Sequence, residues 1–297
     1  MNRKLLPHFL IIGAPKCGTT ALHYYLSQHP ELNLSPKEIH FFGKDLGYNV
    51  QRPTLKQYQS YFKESGLNGD GSVWYLYSDS IYQELNDLGI QPKIIVLLRN
   101  PVEVSYALHS QNIIDANENI TNFEQALKLE KTRKQGHKLP PNVDPARTVF
   151  YKETADFFPR IQKLQENIPK NTIFIGLQTD LKNHTIDFLK TIETFLGISH
   201  YENYDLERIN KNKVVKSKKL HHVIKKPGNL KIKLFRTLVP NKRIRKWFVD
   251  KVYDSNLTYT KRPPLSENTR QELKCYFEKN NQLLSEIIDC DISDWNN

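Results

Sequence analysis

The stretch Phe9-Leu-Ile-Ile-Gly-Ala-Pro-Lys-Cys-Gly-Thr-Thr-Ala-Leu-His-Tyr24 decides the fold. Phe9 to Ile12 form an unbroken apolar run, the pattern of a strand buried on both faces. Gly13, Pro15 and Gly18 mark a tight turn after it. Thr19, Thr20, Ala21, Leu22, Tyr25 and Leu26 read as the first turns of a helix. Strand, glycine-bearing loop and helix start together make a cradle for a phosphate-like anion. Loop N–H groups point inward, and the helix N-terminus adds partial positive charge. Lys16 offers a full charge, and Thr19 and Thr20 offer hydroxyls.

Gly13, four residues and Gly18 match the first half of the nucleotide-binding pattern Gly-x4-Gly-Lys-Ser/Thr. Thr19 stands where that pattern has its lysine. Lys16, inside the loop, places its charge over a bridging or transferring oxygen rather than along a β/γ-phosphate tail. A plain glycine turn is the alternative, and the convergence of Lys16, two threonines and small residues argues against it. Cys17 sits where a thiolate would be favoured, but a small residue that fits the loop is the simpler reading.

Working outward, 297 residues suit one large α/β domain, taken here as a single domain over 1–297. The fold expected is P-loop-like and three-layered, a central parallel sheet flanked by helices. The net charge of +11 implies an anionic ligand, an acidic polymer or an anionic membrane surface. No zinc-finger, RNP or helix-turn-helix pattern points to nucleic acid. Three unpatterned cysteines, Cys17, Cys275 and Cys290, indicate neither a disulfide framework nor a metal site. The few residues before the first strand leave no room for a secretory segment, and no apolar run is long enough to span a bilayer. A cytoplasmic location is therefore expected, and the Asn-x-Thr triplets at Asn119, Asn183 and Asn256 are read as chance.

After the first helix, His29-Pro30 is a stop. In Ser35-Pro-Lys-Glu-Ile-His-Phe-Phe42, Glu38 can return to the loop, because the helix carries the chain only about 15 Å away. There a partly desolvated carboxylate serves as a general base for a hydroxyl, with a salt bridge to Lys37 as the alternative. His40 and His109 are the other candidate proton acceptors. Residues 51–67 read as an aromatic-rich helix carrying Tyr58, Tyr61 and Phe62 on one side. Trp74, Tyr75 and Tyr77 line an acceptor pocket or, more simply, the core. Lys93 to Leu98 is a second buried strand, delivering Arg99 to the carboxyl edge of the sheet, where forked contact with a phosphate is available. Residues 115–147 form a polar insert with a helical piece at 123–134. A helix at 152–166, kinked at Pro159, a strand at 172–176 and an amphipathic helix at 185–196 ended by Gly197 follow. Residues 208–251 hold about sixteen Lys or Arg. Within them Leu234, Phe235, Leu238, Trp247 and Phe248 alternate with cations, which suits an anionic membrane or an acidic acceptor. A helix at 267–288 and a terminal Trp295 close the chain.

Gly13-Ala-Pro-Lys-Cys-Gly-Thr-Thr20 resembles the 5′-phosphosulfate loop of sulfotransferases that use 3′-phosphoadenosine 5′-phosphosulfate (PAPS). Lys37-Glu-Ile-His-Phe-Phe42 is similar to the segment carrying the catalytic glutamate in their heparan-sulfate branch. Val96-Leu-Leu-Arg-Asn-Pro-Val-Glu103 resembles their 3′-phosphate segment, and 262–295 the ending of bacterial members. The resemblance implies PAPS bound by Pro15, Lys16, Cys17, Gly18, Thr19, Thr20 and Arg99, with Lys216 and Ser217 in a covering loop. It implies Lys16, Glu38 and His40 as the catalytic set and in-line transfer without a metal, and it tilts the hydroxyl acceptor toward a sugar, where positive charge and aromatics allow an acidic polysaccharide, a glycolipid or a small metabolite. It also exposes a departure: the serine usual eight residues after the arginine is Ala107, with Ser105 on a different helix face and Ser110 a turn farther on. The competing readings are a P-loop nucleotide kinase and a non-catalytic polyanion- or membrane-binding protein on the same fold.

Overall fold

The computed structural model describes residues 3–48, 51–141, 143–206, 213–215, 237, 239–259 and 262–296. Five parallel strands form the central sheet: β1 (Phe9–Gly13), β2 (Leu32–Leu34), β3 (Leu67–Asp70), β4 (Lys93–Leu98) and β5 (Ile173–Leu177), in the order β2-β3-β1-β4-β5. Every residue of β1 is buried, as is all of β4 after Lys93. This is why both read as continuous apolar runs: helices cover the two faces of a parallel sheet, so no polar alternation is needed. The chain builds from β1 to one side and then crosses to β4 and β5 on the other. The loop after β1 therefore lies where the direction of winding reverses, the place where open α/β sheets bind ligands. The register of β1 against β4 shifts between Ile11 and Gly13.

Among the described residues the helices are α1 (Thr19–Leu26), α2 (Leu55–Gln59), α3 (Ile81–Leu88), α4 (Pro101–Ile114), α5 (Phe123–Lys128), α6 (Glu130–Lys134), α7 (Tyr151–Ala155), α8 (Phe158–Asn167), α9 (Gln178–Asn183), α10 (Thr185–Leu196), α11 (Lys242–Ser255) and α12 (Glu267–Ser285). A short antiparallel ribbon joins β6 (Lys213–Val215) to β7 (Leu257–Tyr259). A 3-10 turn, Val73–Tyr77, packs on β1 so closely that a Cβ on Gly13 would meet Leu76 at 2.8 Å.

The expected helix over 51–67 is cut to five residues. Its apolar end, Leu67, belongs instead to strand β3, and the helix side is split: Tyr58 and Phe62 are buried while Tyr61 is exposed. β2 and β3 had no clear sequence signal, because each is short and β3 reads Leu-Asn-Gly-Asp. The 152–166 helix is two, α7 and α8. The break falls at Asp156 and Phe157, and Pro159 sits in the first turn of α8, where its missing N–H costs nothing. The helical piece of the insert breaks at Leu129. Trp295 packs back as expected, its ring 6.3 Å from that of Phe157.

Candidate active site

The loop from Gly13 to Gly18 turns on two left-handed residues, Lys16 at φ 67° and Gly18 at φ 93°. The second leaves α1 with no side-chain cap, so the first N–H groups of the helix stand open toward the loop. Lys16 Nζ donates to Gln111 Oε1 at 2.9 Å, and Gln111 Nε2 donates to Asp115 Oδ2 at 2.9 Å. Burial holds the Lys16 amine below the ordinary lysine range. Asp115 opposes this, and the charges of Arg262, Arg99 and Lys37 reinforce it. A buried cation among cations, steadied by one distant carboxylate, is an environment built for an anion. Cys17 is fully buried, its thiol bonds to the Pro15 carbonyl, and burial pushes it up to about 12. A nucleophilic thiolate is thereby disfavoured, and its N–H is already engaged by the Ala14 carbonyl.

The segment carrying Glu38 does return to this loop. Lys37 Nζ donates to Thr20 Oγ1 at 3.0 Å and lies 3.7 Å from Glu38 Oε1. The salt bridge considered as an alternative thus exists, but it does not neutralise the carboxylate's unusual setting. Oε2 is sealed from water without a hydrogen-bond partner among the described residues, while 34% of the side chain faces outward. Burial raises Glu38 to about 7, Lys37 pulls it down, buried Asp70 raises it and the Val73 N–H lowers it. Glu38 and His40 both take left-handed backbone, at φ 58° and 54°, a strained choice for residues with side chains. His40 Nε2 lies 3.9 Å from Glu38 Oε2, and its ring stacks on Tyr48 at 4.0 Å. Burial lowers it to about 4, so it is neutral at ordinary pH.

What holds this strained segment is Asp70, at the carboxyl end of β3 and fully buried. It accepts from Tyr58 Oη at 2.8 Å, Ser72 Oγ at 2.9 Å and Tyr75 Oη at 3.0 Å. Tyr75 Oη in turn accepts the N–H groups of Phe41 and Phe42, and Ser72 Oγ that of His40. Arg52 adds donors to the His40 and Phe41 carbonyls and an ion pair to Glu84. Trp74, Tyr75 and Tyr77 are therefore core and scaffold, not pocket walls. Beside Glu38 opens a cleft of about 490 Å³ whose lining includes Lys37, Gln51, Gln57, Ser60 and Tyr61.

Arg99 follows β4, 3.4 Å from the Lys16 carbonyl and 3.6 Å from Glu103, which also meets Arg270 at 3.1 Å. Ala107 is buried; Ser105 donates to the Pro101 and Tyr151 carbonyls and Ser110 to that of Tyr106. Neither serine substitutes for a hydroxyl at Ala107. His109 is also internal, its Nε2 2.8 Å from the Ile120 carbonyl. Lys216 and Ser217 lie outside the described residues. Two site residues were given no role from the sequence, although Arg262 heads the tail that resembles the ending of bacterial members. Gln111 is marked only by its place on α4, three turns after Arg99. Arg262 is brought in when Tyr106 Oη bonds the Pro263 carbonyl at 3.0 Å; its guanidinium lies 4.9 Å from the Tyr106 ring centroid, and its charge reaches Arg99 and Lys16.

A family model described as a sulfotransferase domain matches residues 6–236. The membrane-associated sulfotransferase kil1 of Dictyostelium discoideum is 33% identical over 36% of this chain. The bifunctional heparan sulfate N-deacetylase/N-sulfotransferase 2 of Homo sapiens is 25% identical over 67% of it. The chain spans about a quarter of the length of these relatives, 23% of each. Among solved structures, a sulfotransferase from Alicyclobacillus acidocaldarius superposes with a TM-score of 0.72 at 20% identity, covering 98% of this chain and 99% of that one, which supports the fold. With the family model running from before β1 to beyond β6, the chain belongs to the sulfotransferase family.

Proposed function

We propose that the protein moves the sulfuryl group of PAPS to a hydroxyl of a carbohydrate or glycolipid, as one domain acting without a metal. The observation that carries this is the Lys37–Thr20 contact, which brings the Glu38 carboxyl to the open N-terminus of α1 beside Lys16. In this reading Glu38 takes the acceptor proton as the hydroxyl oxygen bonds to sulfur. The bond from sulfur to the bridging oxygen breaks, and its electron pair stays with the 5′-phosphate of adenosine 3′,5′-bisphosphate. Lys16 and the N–H groups at the start of α1 meet that charge, and Thr19 and Thr20 add hydroxyls. Arg99 takes the 3′-phosphate, Lys216 and Ser217 cover the donor, and neutral His40 orients Glu38. A sugar acceptor is supported by the amide and hydroxyl groups of Gln51, Gln57 and Ser60 and by the exposed Tyr61 ring along the cleft. The names of the heparan sulfate relatives point the same way. A cytoplasmic location, with peripheral contact to an anionic membrane and no role for nucleic acid, belongs to the same proposal, and three free cysteines are compatible with it.

The test is a screen of sugar and glycolipid acceptors with ³⁵S-labelled PAPS, scoring labelled product together with adenosine 3′,5′-bisphosphate. Stoichiometric appearance of both supports the reading. Magnesium-dependent ATP turnover that survives Lys16→Ala, with no transfer from PAPS, overturns it.

A further inference from the structure

β6 and β7 pair Lys213 with Tyr259 and Val215 with Leu257, so residues 216–256 leave and return at one short ribbon. This excursion holds thirteen Lys or Arg against two acids, Asp250 and Asp254. β6 packs on α4, the helix whose Gln111 steadies Lys16, and α11 packs on β7. Helix α11 is thus tied to the neighbourhood of the site through this ribbon.

Helix α11 carries an unusual concentration of apolar surface. Ile244, Trp247 and Phe248 are 54%, 60% and 51% exposed, and they are half of the large hydrophobic side chains exposed among the described residues. At 100° per residue these three and Lys251 fall on one face. The Lys251 amine lies 4.9 Å from the Trp247 ring centroid, and exposed Arg243 flanks the same face. Val249, turned away from that face, and Val252, at its other flank, are half-buried.

We propose that α11 lies in the plane of an anionic lipid bilayer, with Ile244, Trp247 and Phe248 in the headgroup–acyl boundary and the surrounding cations against lipid phosphates. A soluble polyanion is met by the cations alone and gives nothing for three exposed apolar side chains. A lipid surface takes up both, and Trp with Lys at its rim is the pairing an interface favours. The arrangement presents the site to acceptors held at a membrane. The sulfuryl-transfer reading is not needed for it, since the surface acts whether or not PAPS is bound.

The full chain is mixed with vesicles of phosphatidylcholine alone and with about one-third phosphatidylglycerol added. Trp247 is the exposed tryptophan, Trp74 and Trp295 being buried, so a shift of the red-edge emission reports on α11. The expected result is partitioning at least about tenfold stronger to the anionic vesicles, a blue shift on binding, and a loss of about tenfold or more in the Trp247→Ala/Phe248→Ala variant. Activity on a soluble acceptor should be unchanged in that variant. Binding without a blue shift, or equal binding by the variant, assigns the surface to electrostatic polyanion contact and overturns the proposal. A blue Trp247 before vesicles are added, or self-association abolished by the variant, assigns the face to the chain itself or to a second copy, and also overturns it.

Discussion

Replacing Glu38 with glutamine tests the base assignment on two independent scales. With Glu38 raised to about 7, about one carboxyl in ten is ionised at about pH 6 and nine in ten at about pH 8. Wild-type kcat/KM should therefore rise about tenfold across that interval. Glu38→Gln keeps the shape of the protonated acid but cannot accept the proton, and should lower turnover roughly 10²–10⁴-fold, about 3–5 kcal/mol in the barrier. Affinity for adenosine 3′,5′-bisphosphate should hardly change. The stability effect has the opposite sign. The unfolded chain ionises Glu38 from its ordinary 4.5, while the folded chain keeps the proton to about 7. The folded state binds more protons between these values, so stability falls as pH rises through them. A wholly dry group would put this at about 3 kcal/mol. With 34% of the side chain exposed, solvent screening leaves about 1–2 kcal/mol. Glutamine removes that loss, so the variant should melt about 2–4 °C above wild type at alkaline pH, with the gap closing toward about pH 5. Labelled-sulfate transfer, calorimetry and thermal melts at the two pH values make the comparison. A flat wild-type profile and a variant keeping more than about a tenth of its turnover would refute the assignment. That flat profile is what His40, held neutral near 4, would give.

Lys16→Ala should cost roughly 10²–10³ in kcat, measured by single-turnover transfer, with a smaller loss in donor affinity, because its charge is matched to one developing on the leaving oxygen. Arg99→Ala and Arg262→Ala should each weaken adenosine 3′,5′-bisphosphate about tenfold or more while leaving adenosine 5′-monophosphate nearly unchanged, by calorimetry; equal losses for both ligands would place these residues away from the 3′-phosphate. In the insert, Glu118 and Arg133 form a fully buried two-point ion pair at 2.6 and 2.9 Å, with Tyr151 Oη at 2.6 Å. Arg133→Met leaves a buried carboxylate unpaired and should cost about 3–5 kcal/mol in denaturant unfolding.

The parts of the fold read from the sequence were those buried on two sides. Phe9 to Ile12 and Ile94 to Leu98 are apolar without interruption because helices lie on both faces of β1 and β4. β3 is buried as well, but it was hidden because its buried side chains are polar. Its Asn68 spans the Lys4 and Lys63 carbonyls, Gly69 leaves room for the Phe9 ring, and Asp70 serves the hydroxyl cluster. A strand whose side chains are chosen for polar contacts loses its apolar signature. In the site, Lys16, Glu38 and Arg99 follow strand ends or a motif, and were legible. Gln111 and Arg262 enter through tertiary contacts between α4 and the chain before α12, which no local spacing records.

The Asp70 cluster has a consequence for the cost of turnover. The same carboxylate that anchors the hydroxyls holding His40, Phe41 and Phe42 also raises the proton affinity of Glu38. Burial sets most of that basicity and Asp70 adds to it, so position and basicity are both fixed once, when the chain folds. A mobile loop would have to be ordered in every catalytic cycle, and that entropy would appear in the barrier. Here the strain at Glu38 and His40 is carried by the folded state, so the protein gives up some stability to keep its base already aimed.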